Sequence, residues 1–100
     1  MNRIFKALAD PSRRHVLQLL KEGPLTAGEI ADHVSIAKPT LSAHLAILRE
    51  ADLVGSEKHG TSITYWLNAS VLEEAILAFA DTMNLGVQRQ RPSARASRRT

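Results

Sequence analysis

One hundred residues, 44% hydrophobic and 23% charged, give the balance of a soluble globular chain forming one domain. The absence of cysteine excludes disulfides, thiolate metal sites, cysteine nucleophiles and iron–sulfur clusters together. No apolar run approaches the roughly 18 residues of a membrane span. The start, Met1-Asn2-Arg3-Ile4-Phe5-Lys6, alternates polar with apolar residues instead of forming a signal-peptide core, so the expected location is cytoplasmic, without membrane insertion.

A formal net charge of +3 points to a polyanionic partner, but its distribution changes the reading. Residues 1–85 hold eight Lys/Arg against all ten Asp/Glu, a net charge of −2, whereas residues 86–100 hold five Arg and no acid. A body of that sign reaches DNA only through a local basic patch. A chain this short hides only about 60–65% of its unfolded surface on folding, which favours a dimer that buries more.

In chain order, Ile4, Phe5 and Leu8 recur at helical spacing and predict a short amphipathic helix. Asp10-Pro11 reads as an N-cap followed by proline at the first helical position; the helix it opens carries Val16, Leu17 and Leu20 and stops at Gly23-Pro24. Arg13 and Arg14 on that helix are either solvated charges or part of a dimer- and DNA-facing surface. Thr26-Ala27-Gly28-Glu29 fits a capping box and predicts a third helix over about Ala27 to Val34. The break at Ser35-Ile36-Ala37 leads to a fourth helix in which Leu41, Leu45 and Leu48 bury together while Pro39, Thr40, Ala43 and Ala46 face away.

Beyond Leu53 the period becomes two. Val54 to Lys58, the turn His59-Gly60-Thr61, and the alternation of Ile63, Tyr65 and Leu67 with Ser62, Thr64 and Trp66 predict a β-hairpin. Trp66 then belongs either to a partly exposed wing or to an interface. From an Asn68 N-cap a fifth helix runs to about Leu85 with a broad apolar face, part of it available to a second subunit, and Gly86 ends it. The Arg-rich remainder lacks any apolar period and is expected to be disordered. The predicted fold is mainly α with a small β-hairpin (α+β): a winged helix-turn-helix of five helices and a two-stranded wing over residues 1–85, followed by the Arg-rich tail 86–100.

Two helices joined by a short break and followed by a hairpin are the parts of a DNA reader. A recognition helix enters the major groove only if its outer side chains are small or can bond base edges, which Thr40, Ser42 and Ala43 satisfy. Lys38, Pro39 and His44 complete that candidate surface, Lys38 reaching phosphate. His44 has two readings, a phosphate contact or a buried polar group tied to backbone. In the wing, Lys58, His59, Gly60, Thr61 and Ser62 are placed to meet the adjacent backbone or minor groove.

Phe5-Lys6-Ala7-Leu8-Ala9-Asp10-Pro11-Ser12-Arg13-Arg14, then Leu17 and Leu20, then the stretch from Ala37 to Val54 resemble the ArsR/SmtB family of bacterial winged-helix repressors, over about residues 3–80. Ala-Lys-Pro-Thr-Leu-Ser-Ala-His-Leu, without the family's metal ligands, is most similar to its SdpR-type autorepressor branch. The resemblance implies a homodimer paired through the first and last helices, with Ile4, Phe5, Leu8, Leu72, Ile76, Phe79 and Met83 as its contacts. It also implies a repressor of transcription that binds a pseudo-palindromic operator on double-stranded DNA near its own promoter, with the bases read by Thr40, Ser42, Ala43 and His44, Lys38 on phosphate and Lys58 to Ser62 as the wing. Two departures stand out. Ala37 occupies a recognition-helix N-cap where the family usually has serine, and the wing is poor in arginine, which the tail would offset.

No metal and no cofactor are expected. The metal sites that the resemblance implies are a cysteine site near the third helix, for which this chain has no cysteine, and an Asp/His site on the last helix, which here offers Glu73, Glu74 and Asp81 without a histidine. His15, His33 and His59 form no pair at ligand spacing on one helix. No cysteine nucleophile, glycine-rich phosphate loop or Ser/His/Asp motif points to an enzyme. The competing reading is an interaction module controlled by a protein or membrane receptor, a protein partner acting as inducer and DNA contact being secondary.

Overall fold

A computed structural model describes residues 2–87 of the protein; the expected disorder of the Arg-rich tail falls, for residues 88–100, outside the described residues. The elements run α1 (Asn2–Leu8), α2 (Pro11–Leu20), β1 (Leu25–Thr26), α3 (Ala27–His33), α4 (Lys38–Glu50), β2 (Val54–His59), β3 (Ser62–Leu67) and α5 (Ala69–Thr82). None of the described helices is long and apolar enough to cross a membrane.

Local chemistry sets most of these boundaries. The Asp10 carboxylate accepts from the Ser12 and Arg13 N–H groups at 2.7 and 3.2 Å, with Pro11 opening the helix behind it. Thr26 and Glu29 form the predicted capping box, at 2.8 Å from the Thr26 N–H to Glu29 Oε1 and 3.1 Å from the Glu29 N–H to Thr26 Oγ1. Helix α4 ends with Asp52 at φ +61°, where the Leu53 N–H donates to the Leu48 carbonyl and the Asp52 N–H to that of Arg49, both at 3.0 Å. The same turn closes α5 around Asn84 at φ +58°, so this helix stops at Thr82 and not near Leu85. Asn68 caps nothing with its side chain; its Nδ2 donates to the Asp52 carbonyl at 2.9 Å, tying the end of α4 to the start of α5.

The sheet has three strands, not two. Leu25 and Thr26 pair antiparallel with Tyr65 and Thr64, giving the order β1-β3-β2. Two residues inside a Gly-Pro to capping-box connection show no alternation, and only the exposed edge of β3 makes them a strand. The wing hairpin is in register from Val54↔Leu67 to His59↔Ser62, with Gly60 (φ +62°) and Thr61 as its turn, the glycine taking the left-handed conformation that a two-residue hairpin turn demands. Trp66 lies across from Gly55, and a Cβ on that glycine would stand 2.5 Å from the indole, so Gly55 is the notch that seats the ring.

The core joins Val16, Leu17 and Leu20 of α2, Ile30 of α3, and Leu41, Leu45 and Leu48 of α4 with Leu53, Val54 and Tyr65. Helix α5 buries only Ala75 and Ala80, while Ile76, Phe79 and Met83 stay open to solvent. Phe79 meets Phe5 of α1 edge to face, ring centroids 5.1 Å apart, so one apolar surface runs across both helices.

Candidate nucleic-acid interface

Burial of the three leucines turns the opposite side of α4 outward, and Lys38, Pro39, Thr40, Ser42, Ala43 and Ala46 are all exposed there. The side chains are short, so a base edge can approach the helix closely. Ala37 has the extended backbone of an N-cap (φ −64°, ψ 147°) but no side chain to offer the helix. The first helical N–H to find an acceptor is that of Leu41, on the Ala37 carbonyl at 2.9 Å, which leaves the first-turn N–H groups at an exposed, Lys38-bearing helix start. Such an end, positive by both dipole and side chain, suits a phosphate.

His44 departs from this outward set. Its side chain is 12% exposed, and Nδ1 lies 3.1 Å from Nη1 of Arg13, with Nε2 3.9 Å from Asp10 Oδ1. A guanidinium only donates, so Nδ1 accepts. Arg13 is not a solvated charge: it is buried, its Nε donates to the Ala7 carbonyl at 2.7 Å and its Nη2 to the Lys6 carbonyl at 3.0 Å. Arg14 holds the next carbonyl, Leu8, at 2.6 Å, so two arginines of α2 satisfy the C-terminal end of the seven-residue α1. Burial opposes ionisation of Asp10, but the Arg13 and Ser12 N–H groups, aided by His44 and the Arg13 charge, outweigh it and hold the carboxyl below the usual carboxylate range.

The wing residues Lys58, His59, Gly60, Thr61 and Ser62 are all exposed at the hairpin tip. Glu57 Oε1 stands 3.7 Å from His59 Nε2, placing a carboxylate beside the tip that the sequence reading did not weigh. Arg49, also outside that reading, leaves the last turn of α4 and donates to Ser56 Oγ of β2 at 3.4 Å, bridging helix and wing. Its spacing gave a signal: eleven residues after Lys38, it lies close to the same side of an α-helix. Among the described residues no three His, Cys, Asp or Glu side chains gather into a group able to hold a metal.

The family model for bacterial regulatory proteins of the arsR family matches residues 10–56, from the N-cap of α2 to the first half of β2. The chain is 45% identical over 86 residues to the transcriptional repressor SdpR of Bacillus subtilis (strain 168), covering 86% of this chain and 96% of that one. This protein belongs to the ArsR family. The chain is also similar to the arsenical resistance operon repressor of Staphylococcus aureus, 37% identical over 76% of this chain and 73% of that one. Among solved structures, the ArsR family transcriptional regulator RHA00566 superposes with a TM-score of 0.76 at 31% identity, over 89% of this chain and 92% of that one. The winged helix-turn-helix is thus shared along nearly the whole length, and the ArsR-family match spans both helices of the reading unit, α3 and α4.

Proposed function

We propose that the protein is a sequence-specific DNA-binding repressor of transcription that works as a homodimer on a pseudo-palindromic operator. The observation that carries this reading is the outward face of α4, where Thr40, Ser42 and Ala43 are exposed behind the positive helix start at Lys38, on a chain whose wing tip is exposed as well. Relatives named as a transcriptional repressor, at 45% identity, and as an operon repressor, at 37%, support it. Pairing of two protomers through Ile4, Phe5, Leu8, Leu72, Ile76, Phe79 and Met83 would present two copies of α4 to successive major grooves, roughly 34–36 Å apart. Lys38 and the Lys58–Ser62 tip hold phosphate on either side of the bases that Thr40, Ser42 and Ala43 read.

The test is selection of duplexes from a random pool by the purified full-length chain, followed by anisotropy titrations against the winner, a scrambled duplex and the DNA upstream of its own gene. Preference for a palindromic winner, abolished by Thr40→Glu with Ser42→Glu at unchanged helicity, is the expected result. Preference for the upstream DNA as well establishes autoregulation. Enrichment of no sequence, with binding indifferent to the two substitutions, overturns the reading and favours the interaction module under a protein partner.

A further inference from the structure

Three observations meet at one guanidinium. Arg13 of α2 sends Nε to the Ala7 carbonyl, Nη2 to the Lys6 carbonyl and Nη1 to His44 Nδ1, so a single buried side chain joins the C-terminal end of α1 to the middle of α4. Helix α4 is otherwise seated by Leu41, Leu45 and Leu48. Apolar burial is non-directional: it holds a helix against a core but resists rotation about the helix axis only weakly. Directional bonds supply what it lacks, and α4 has few. Ala37 gives no side-chain cap, and Arg49 reaches Ser56 only at the far end. In the N-terminal half of α4, which carries the outward Lys38, Thr40 and Ser42, the inward-facing His44 makes the directional side-chain tie among the described residues, one turn beyond Thr40 and next to Ala43.

We propose that His44 and Arg13 are positioning residues for operator recognition: His44 acts on DNA through its bond to Arg13, which sets the rotation of α4 relative to α1, and not by touching DNA. This rests on the DNA-binding reading above. Its chemistry is specific. The acceptor at His44 must face a donor that cannot turn away, and the planar fork of arginine, fixed at its other two corners by α1 carbonyls, is such a donor. Lysine lacks the fork. Asparagine places an amide oxygen near the position of Nδ1 and keeps the acceptor, whereas leucine keeps the volume and loses it. Helix α1 also carries Phe5 of the apolar surface shared with α5.

The experiment compares the full-length wild type with His44→Asn, His44→Leu, Arg13→Lys and the Arg13→Lys/His44→Leu double variant. Each is titrated by anisotropy on the pool-selected duplex and on a scrambled one, with circular dichroism at the assay temperature. His44→Leu and Arg13→Lys should each weaken binding to the selected duplex about tenfold while leaving the scrambled duplex within about twofold. The double variant should be no weaker than either single one, and His44→Asn should recover most of the loss. His44→Asn and His44→Leu decide the matter even if Arg13→Lys unfolds, since neither touches the α1 carbonyl bonds. Equal loss in these two variants overturns the inference in favour of direct contact by the imidazole; losses that multiply in the double variant, or that fall equally on scrambled DNA, overturn it too. A wild type that does not discriminate overturns the DNA-binding reading and this inference with it, whereas a discriminating wild type with equally discriminating variants overturns this inference alone.

Discussion

Single side chains here do work that composition does not reveal. Arg13 and Arg14 are adjacent and formally alike, yet one is buried among three acceptors and the other lies at the surface on one carbonyl. The difference follows from the roughly 100° turn between neighbours on a helix, which aims only one of them between α1 and α4. Gly55 is a second case. Its backbone is ordinary strand, and what demands glycine is the Trp66 indole lying where a Cβ would be. Gly55→Ala should therefore cost about 1–3 kcal/mol through overpacking. Since Trp66 is the sole tryptophan, its emission should shift in the same variant; urea unfolding followed by fluorescence measures both.

Among the elements, α4 is the most informative. Its periodicity, its proline near the start and its small outer residues were legible in the sequence, because a stripe of leucines fixes which side faces water whatever the partner helices are. The missing cap was legible too. Ala37 has the backbone of an N-cap without the oxygen, so Ala37→Ser should stabilise the fold by about 0.5–2 kcal/mol. Ala37→Asp should stabilise it similarly in thermal melts yet weaken DNA binding, because its carboxylate would sit where a phosphate approaches the helix start. Equal DNA affinity for the Ser and Asp variants would remove the phosphate from that end. The strand β1 was not legible: two residues carry no period, and their strand character comes wholly from pairing with Tyr65 and Thr64.

Across the whole molecule, the surface left open by α1 and α5 is where the proposed homodimer would pair. Ile76 is 49% exposed, Phe79 43% and Met83 54%, while Ile4, Leu8 and Leu72 already lean on the protomer's own core. Among the seven candidate contacts, the outer three are the large apolar side chains still exposed, with area left to bury at about 25 cal/mol per Å². Phe79→Asp should convert a dimer into a monomer in sedimentation equilibrium while leaving the α2–α4 core folded. Operator binding should fall by far more than twofold, since two half-sites on one particle bind at high effective concentration. A Phe79→Asp protein that stays dimeric would move the interface elsewhere.

The order of helices and hairpin, the capping box, the stop of α2 before Gly23-Pro24 and the outward face of the small residues of α4 were all written in local patterns: periodicity, caps and turn residues act within a few positions and need no tertiary partner. What the tertiary structure decided was which polar groups face inward. His44 carried two readings from sequence, and Arg13 could equally have been solvated, because a hydrogen bond between positions 31 residues apart has no local signature. Only the meeting of α1, α2 and α4 at one place gave those side chains their partners, and with them the link from the end of α1 to the middle of α4.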